Sequence, residues 1–542
     1  MKKTLLLTLV LMLFMCNKVN AADYIYLDLY YGNVTIKDGK YSGYTFNGTA
    51  KSGTHSASNN YYIFQSKGEK NLTAVPNYAR VKYNSTTSWA EYITNHPGKS
   101  TNVDLADSVD DVIAAWGAVT SLNTTNIAST GAAISAGRKP TPNYIFIKGG
   151  GTYNVVIDDI WSSYQANIST ALQNQGREDL GGIVYIPTEL NTTLNLSIEG
   201  DNRFGNIHAA THDGRNGVYD FDPEHTNKIV IKELNKGSDA TLTLANLMVD
   251  SNTNHTSACL GGTDNWDHST KMIFESGVIY AGSAKDDFGT AIGGGGNGDG
   301  IIIIKGGKIT AICSSTGTAL GGGCGTAGPG GYGNITIEGG EVYAYSCQVS
   351  FGSNTSYNGA LPTAIGGGSS GIQIGGTGIV NIKGGKVYAY SEKGTAIGAG
   401  GGGIGLSGSN YYSATGGVAN VTISGGEIIA LSGQGCAIGG GPGGGSLYSQ
   451  YANVSATNLP MDILSANDAG TLTAKVNANG GEATLTITGG TIKTGSIGGG
   501  SPLFESGTDK NKYRFYNWCS KSLYFRRNNT WSNCYGRNRF CF

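Results

Sequence analysis

The sequence predicts an all-β protein: a parallel, right-handed β-helix or solenoid, preceded by an irregular N-terminal capping region that contains short helices. Apolar residues alternate with polar ones in short segments, which is the two-residue period of a strand. Paired glycines recur between these segments and mark corners, because glycine adopts φ > 0 without a steric penalty. The whole pattern recurs as a repeat of about 30 residues, which must stack on neighbouring copies to bury its apolar side.

The clearest repeat runs from Ile379 to Gly403 and reads IVNIKGGKVYAYSEKGTAIGAGGGG. Val380 and Ile382 alternate with other residues before the glycine pair, and Val387 and Ala389 keep the same spacing after it. A TAIG element and a glycine run complete the repeat. We therefore expect two strands that meet at a glycine corner, with every second side chain in the core.

Copies of this repeat follow one another along the chain. The corners start at Ser276, Gly306, Gly339, Gly384, Gly425 and Gly489. The TAIG elements lie around Ile292, Leu320, Ile365, Ile397, Ile438 and Ile497. Equivalent inward positions, such as Ile337, Ile382 and Ile423, should stack in one column of the core.

The chain divides into four parts. Residues 1–21 read as a signal peptide, with a charged start, an apolar stretch and a small-residue cleavage site. Residues 22–225 form the irregular N-terminal region, with short helices expected at Trp89 to Asn95 and Asp110 to Leu122; a separate domain is the alternative. Its segment Val34 to Gly39 (VTIKDG) looks like a worn copy of the repeat. Residues 226–503 carry the glycine-rich parallel repeats.

Residues 504–542 break the pattern: arginine, asparagine, cysteine and aromatic residues replace the alternating strands. Read one nucleotide later, the codons of Tyr524 to Asn529 are compatible with the Ser-Gly-Gly corner of another repeat. The sequence therefore predicts a frameshifted, disordered tail and an open strand edge at the end of the solenoid.

Charge excludes two classes of partner. The chain has 37 Lys+Arg against 38 Asp+Glu, a net charge of −1. Proteins that bind nucleic acid or anionic membrane surfaces select basic patches. The apolar stretch of the signal is too short to span a bilayer stably. We expect a secreted or cell-surface protein with no nucleic-acid partner and no membrane span after signal cleavage.

Tyrosines in the second strand of the repeat are the predicted ligand-binding residues. If Val342 and Ala344 point inward, their tyrosine neighbours point outward. Stacked repeats would place equivalent residues about 4.8 Å apart. Aromatic faces with hydroxyl groups suit sugar rings; a ladder covered by loops, or stacked on itself, is the alternative. The predicted sugar-stacking residues are Tyr280, Tyr343, Tyr345, Tyr388 and Tyr390.

The TAIGGG-type pattern from Lys271 to Gly500 resembles the glycine-rich β-helix repeats of bacterial surface and secreted proteins. More loosely, it is similar to β-helix proteins that bind acidic plant polysaccharides with calcium. We expect a non-catalytic, glycan-binding or adhesin-like protein whose partner is a polysaccharide or a host or cell-surface glycan. A structural surface stalk is the alternative.

A polysaccharide lyase or glycosidase is the second alternative. The run Trp266-Asp267-His268 resembles part of a pectate lyase motif, but that motif is incomplete here, and no enzyme activity is expected. No cofactor is predicted and the metal site is unknown; calcium stays an open alternative. Loop aspartates could supply its oxygen ligands: Asp264, Asp267, Asp286, Asp287 and Asp299, with Asp213 to Glu224 as a second acidic loop.

Cysteines in the repeats fall at small, inward positions, and Cys436 takes the place of the TAIG threonine. We expect them to be packed in the core; one disulfide between repeats is the alternative.

Overall fold

The computed structural model describes residues 24–66, 141, 143–160, 162, 182–211, 227–246, 258–262, 268–283, 289–313, 316–325, 328–346, 361–371, 373–391, 393–407, 410–413, 415–433, 435–443, 462–465 and 480–499, with short strands at 82–83, 87–88, 526–527 and 530–531. Within these residues the chain is all-β and contains no helix. The two predicted helices, the signal peptide and most of residues 504–542 lie outside them.

Parallel strands form three ladders. The first ladder follows alternating apolar segments along the chain and contains one strand from each repeat. Its strands are Tyr24–Asp28, Asn60–Phe64, Thr152–Asp158, Thr193–Glu199, Lys228–Glu233, Lys271–Phe274, Gly300–Ile304, Gly333–Ile337, Gly378–Ile382 and the first halves of Ala419–Ser432 and Ala483–Thr494.

The second ladder begins after the corners. Its strands are Asp201–Phe204, Thr241–Asn246, Val278–Ser283, Lys308–Cys313, Glu341–Ser346, Lys386–Ser391 and the second halves of Ala419–Ser432 and Ala483–Thr494. Because these last two strands run through their corners, the first and second ladders form one 18-stranded sheet.

The third ladder contains the TAIG elements and their N-terminal counterparts, and it belongs to a 14-stranded sheet. Its strands are Val34–Lys37, Ile145–Gly149, Ile183–Pro187, Ile207–Thr211, Leu260–Gly261, Ile292–Gly293, Leu320–Gly321, Ile365–Gly366, Ile397–Gly398, Ile438–Gly439 and Ile497–Gly498. From Ile183 onward the chain therefore visits the third, first and second ladders in that order, whereas the described parallel strands before it lie only in the first and third ladders.

The register predicted for the core is confirmed. Ile337 pairs with Ile382, and Ile382 pairs with Ile423. All three side chains are fully buried. They belong to one hydrophobic cluster that extends from Leu27 to Ile497. Strands from residues 22–225 thus share ladders and core with the repeats.

The corners are also confirmed. The second glycine of each pair is the one in the left-handed region, for example Gly340 with φ of 81° and Gly385 with φ of 81°. Gly149 and Gly151 form a corner as well, between the third and first ladders.

The prediction that Val34 to Gly39 is a worn repeat is wrong. Val34–Lys37 lies in the third ladder, and it continues into an antiparallel strand, Lys40–Tyr44. Asp38 and Gly39 both have positive φ, 52° and 69°. Two consecutive residues of this kind make a tight hairpin, so this Asp-Gly reverses the chain instead of turning a corner. Ala50–Thr54 extends the hairpin to a three-stranded meander.

The remaining described strands are short and antiparallel. Asp462–Ser465 pairs with the second half of Ala483–Thr494, so the last strand of the second ladder does not end in the predicted open edge. The loop between two repeats supplies this covering strand. The other strands are His268–Ser269, which pairs with Ile207–Thr211, and the pairs Ile404–Ser407 with Asn410–Ser413, Lys82–Tyr83 with Thr87–Ser88, and Arg526–Arg527 with Thr530–Trp531.

Glycine runs between the third and first ladders pack as a buried lattice. In this glycine lattice, segments of successive repeats donate backbone N–H groups to one another's carbonyls at 2.7–3.2 Å. The chain of donors and acceptors passes through Gly298, Gly323, Gly331, Gly368, Gly376, Gly400, Gly417, Gly441 and Gly481. A Cβ at Gly323 would collide with the carbonyl oxygen of Gly295. These glycines are therefore required by close backbone approach, and they are not a flexible linker.

The four described cysteines are buried thiols: Cys259, Cys313, Cys324 and Cys436. Cys436 makes the same backbone contact as the TAIG threonine that it replaces. The Sγ of Cys436 lies 2.9 Å from the Gly499 carbonyl oxygen. One repeat earlier, the Thr395 hydroxyl donates a hydrogen bond to the equivalent Gly440 carbonyl at 3.1 Å.

Because the roles match, we expect Cys436→Thr to change the free energy of unfolding by less than about 1 kcal/mol. Thr395→Val keeps the shape but leaves the Gly440 carbonyl without this donor, and should cost about 1–3 kcal/mol. Urea denaturation followed by circular dichroism measures both. Equal losses in the two variants would contradict the shared role.

Candidate functional site

The predicted tyrosine ladder lies on the outer face of the second ladder. Tyr343 pairs with Tyr388, and Tyr345 with Tyr390. The inward neighbours Val342, Ala344, Val387 and Ala389 belong to the hydrophobic core, as expected. The alternation was therefore predicted correctly from the sequence.

The tyrosine faces, however, are covered. Tyr343 and Tyr388 are each 6% exposed, and their rings stack at 4.7 Å with an interplanar angle of 10°. Tyr345 and Tyr390 are buried as well, and Tyr280 is half-buried. This geometry matches the alternative in which the ladder is covered and stacked on itself. A role in sugar stacking stays a prediction for these five residues.

A second group of aromatic residues is more accessible. It lies at the N-terminal end of the first ladder, on that ladder's outer face. Tyr26 is 53% exposed and Phe46 is 63% exposed. We call this group the aromatic surface: Tyr24, Tyr26, Phe46, Tyr62 and Phe64.

Strand pairing brings these rings together. Tyr26 lies opposite Tyr62 in adjacent parallel strands, and their ring centroids are 5.2 Å apart. Tyr24 makes an edge contact with Tyr62 at 5.5 Å. Phe46, from the tip of the meander, stacks on Phe64 at 6.4 Å. The rings form a contiguous row because they alternate with inward residues, such as Leu27 and Ile63, that anchor both strands in the core.

Two carboxylates border the aromatic surface. Asp158 follows Phe64 in the same row of the ladder, and Glu199 follows Asp158. The Tyr62 hydroxyl lies 2.9 Å from Asp158 Oδ2 and 2.8 Å from Glu199 Oε2, and it shares its one proton between them. Burial, followed by these two hydrogen bonds, raises the pKa of Tyr62. Tyr62 is therefore a neutral donor that fixes both carboxylates in place.

The repeat pattern of the sequence does not reveal this surface. Its residues come from three separated segments, and only strand pairing unites them. A signal was present in the crowded aromatic residues of YIYLDLYY at Tyr24 to Tyr31 and NYYIF at Asn60 to Phe64. Both segments alternate with inward residues as the repeats do, yet they lack the glycine corner that identified the other strands.

The residues considered for calcium and for catalysis lie mostly outside the described residues. Of the five loop aspartates, the structure describes only Asp299, whose carboxylate accepts a hydrogen bond from the Tyr332 backbone N–H at 2.6 Å. Among the described residues, no three His, Cys, Asp or Glu side chains are grouped as a metal site. Of Trp266-Asp267-His268, only His268 is described, in a short antiparallel strand.

Comparison with known proteins identifies no relative. No family model matches the chain, and neither a curated protein nor a solved structure does. In the part of the chain that the structure describes, no helix is long and apolar enough to cross a membrane.

Proposed function

We propose that the chain is a secreted or cell-surface protein that binds glycans without catalysis, in the manner of an adhesin. The aromatic surface is the observation that carries the proposal. Exposed rings beside fixed hydrogen-bonding groups suit sugars, because a sugar ring presents apolar C–H patches and polar edges. Tyr26 and Phe46 offer such faces to solvent, and Glu199 and Asp158 offer acceptors beside them.

We infer that the three ladders are the faces of one right-handed parallel β-helix. The fixed order of ladders and the single core support a closed coil. The right hand is the general rule for parallel crossovers. Such a coil holds the aromatic surface at one end of its first ladder.

A structural stalk and a polysaccharide-cleaving enzyme are the competing functions. A glycosidase places its two carboxylates on opposite sides of the scissile bond, with the sugar between them. In this protein the Tyr62 hydroxyl lies between Asp158 and Glu199 and contacts both. Both carboxylates are thus engaged by the same tyrosine hydroxyl, which supports binding over cleavage at this surface.

A polysaccharide screen with two variants tests the proposal. We expect the wild-type protein to bind at least one soluble polysaccharide, and Tyr26→Ala with Phe46→Ala to weaken that binding by about tenfold or more, since each of the two lost ring contacts is worth about 0.5–1.5 kcal/mol. Both side chains are largely exposed, so the melting temperature should stay within about 2 °C. Affinity electrophoresis measures the binding.

Tyr332→Ala is the matched control, because Tyr332 is a 40% exposed tyrosine outside the aromatic surface. Equal losses in the control and the double variant would refute the assignment. Loss of binding only in Tyr343→Ala with Tyr388→Ala would move the ligand to the tyrosine ladder. Release of sugar fragments would favour the enzyme, and binding to none would favour the stalk.

A further inference from the structure

The aromatic surface has a charge as well as a shape. Glu199 accepts hydrogen bonds from Tyr62 at 2.8 Å and from Asn235 at 3.3 Å, and both donors are neutral. Its neighbour in the ladder is a second acidic residue, Asp158. Hydrogen bonds from neutral groups orient a carboxylate without cancelling its negative charge.

One cation past the corner is paired with a different carboxylate. Arg203 donates two hydrogen bonds to Asp201 Oδ2, at 3.0 and 2.7 Å, from its Nε and its guanidinium amino group. This ion pair lies past the corner, in the second ladder. Arg203 thus balances the charge of Asp201.

This charge discriminates between glycans. The hydroxyl groups of a neutral sugar donate hydrogen bonds to a carboxylate, and a charge-assisted hydrogen bond is stronger than a neutral one. A uronic acid or sulfated sugar at the same place sets like charges a few ångströms apart, which is repulsive at the partial burial of this site. The two kinds of glycan are therefore affected in opposite directions by the same side chain.

Resting on the proposed glycan binding, we propose that the aromatic surface selects glycans without negative charge and that Glu199 is a specificity-determining residue. This preference for uncharged glycans is the opposite of what the similarity to β-helix proteins that bind acidic plant polysaccharides implies. The surface described here meets its ligand with hydrogen bonds and ring faces.

The test uses polysaccharides that share a backbone and differ in charge: methyl-esterified and de-esterified homogalacturonan, hydroxyethylcellulose and carboxymethylcellulose, and dextran and dextran sulfate. We expect the full-length protein at low ionic strength to bind the neutral member of at least one pair about tenfold or more tighter than the anionic member. Added salt should reduce this difference in affinity, because it screens the repulsion between charges; the Debye length is about 10 Å at 0.1 M.

Glu199→Gln keeps an acceptor for Tyr62 and removes the charge. It should reduce the ratio between the affinities for the neutral and the anionic polysaccharide by about threefold or more. Glu338→Gln removes the same charge beside the corner that follows the strand Gly333–Ile337, and it should leave the ratio unchanged. Equal binding of both members, or tighter binding of the anionic one, overturns the selectivity but leaves glycan binding intact. A ratio unchanged in Glu199→Gln overturns the role of Glu199. Binding of no polysaccharide overturns both proposals.

Discussion

Ile382→Asp is expected to unfold several repeats at once. The side chain is fully buried in a column with Ile337 and Ile423. The substitution removes apolar contacts and places a carboxyl group where neither water nor a polar partner reaches it. Together these effects should cost about 5 kcal/mol or more. Because each repeat packs only on its neighbours, the damage spreads along the stack.

Amide hydrogen exchange at increasing urea concentration measures the free energy of unfolding of each repeat. Asn381→Asp is the matched control: it introduces the same group one residue earlier in the strand, on the half-exposed outer face. The control should cost less than about 1 kcal/mol. If both variants lose the same stability, the inward register of this strand is wrong.

The second large effect is expected at Gly366, in the third ladder. Its φ is 141°, a conformation that other residues rarely adopt. A Cβ there would also collide with the carbonyl oxygen of Gly398 in the next strand. Backbone cannot move aside as a flexible side chain can, so Gly366→Ala should cost about 3–5 kcal/mol.

Gly282→Ala provides the comparison. Gly282 lies in a strand of the second ladder, with no atom within 4 Å of the position where a Cβ would lie. Its replacement should be neutral or stabilise by up to about 1 kcal/mol, because alanine restricts the unfolded chain. Thermal unfolding of the two variants distinguishes them. A similar loss at Gly282 would mean that glycine content, and not the collision at Gly366, sets stability.

Periodicity made the strands of the repeats predictable. Val380, Ile382, Val387 and Ala389 carry a two-residue alternation, and all four are in the core. Glycine pairs located the corners for the same reason: only glycine adopts the required φ freely, so the residue type reports the backbone directly. Local chemistry and local structure coincide at these positions.

The meander and the aromatic surface were not predictable in this way. Asp38-Gly39 reverses the chain, although its residue types resemble those of a corner. The direction of the strand after such a turn depends on what that strand packs against. Phe46 and Phe64 meet because the meander folds back over the first ladder. The covering of Tyr343 and Tyr388 likewise depends on tertiary packing, and alternation alone predicts only the side of the sheet on which they lie.

Charges beside the corners alternate in sign from one repeat to the next. Glu275 is followed by Lys305, then Glu338 and Lys383, with ion pairs at 3.3 and 3.1 Å. The second ladder repeats the pattern in Lys308, Glu341, Lys386 and Glu427.

This alternation constrains how the gene can change its length. Removing one repeat would bring Glu275 beside Glu338 or Lys308 beside Lys386, and adjacent like charges repel. Removing or duplicating two repeats together keeps every opposite pair. Each pair is worth less than about 1 kcal/mol, so the bias is mild at any single step. Over many duplications it favours lineages in which this part of the protein grows and shrinks by even numbers of repeats.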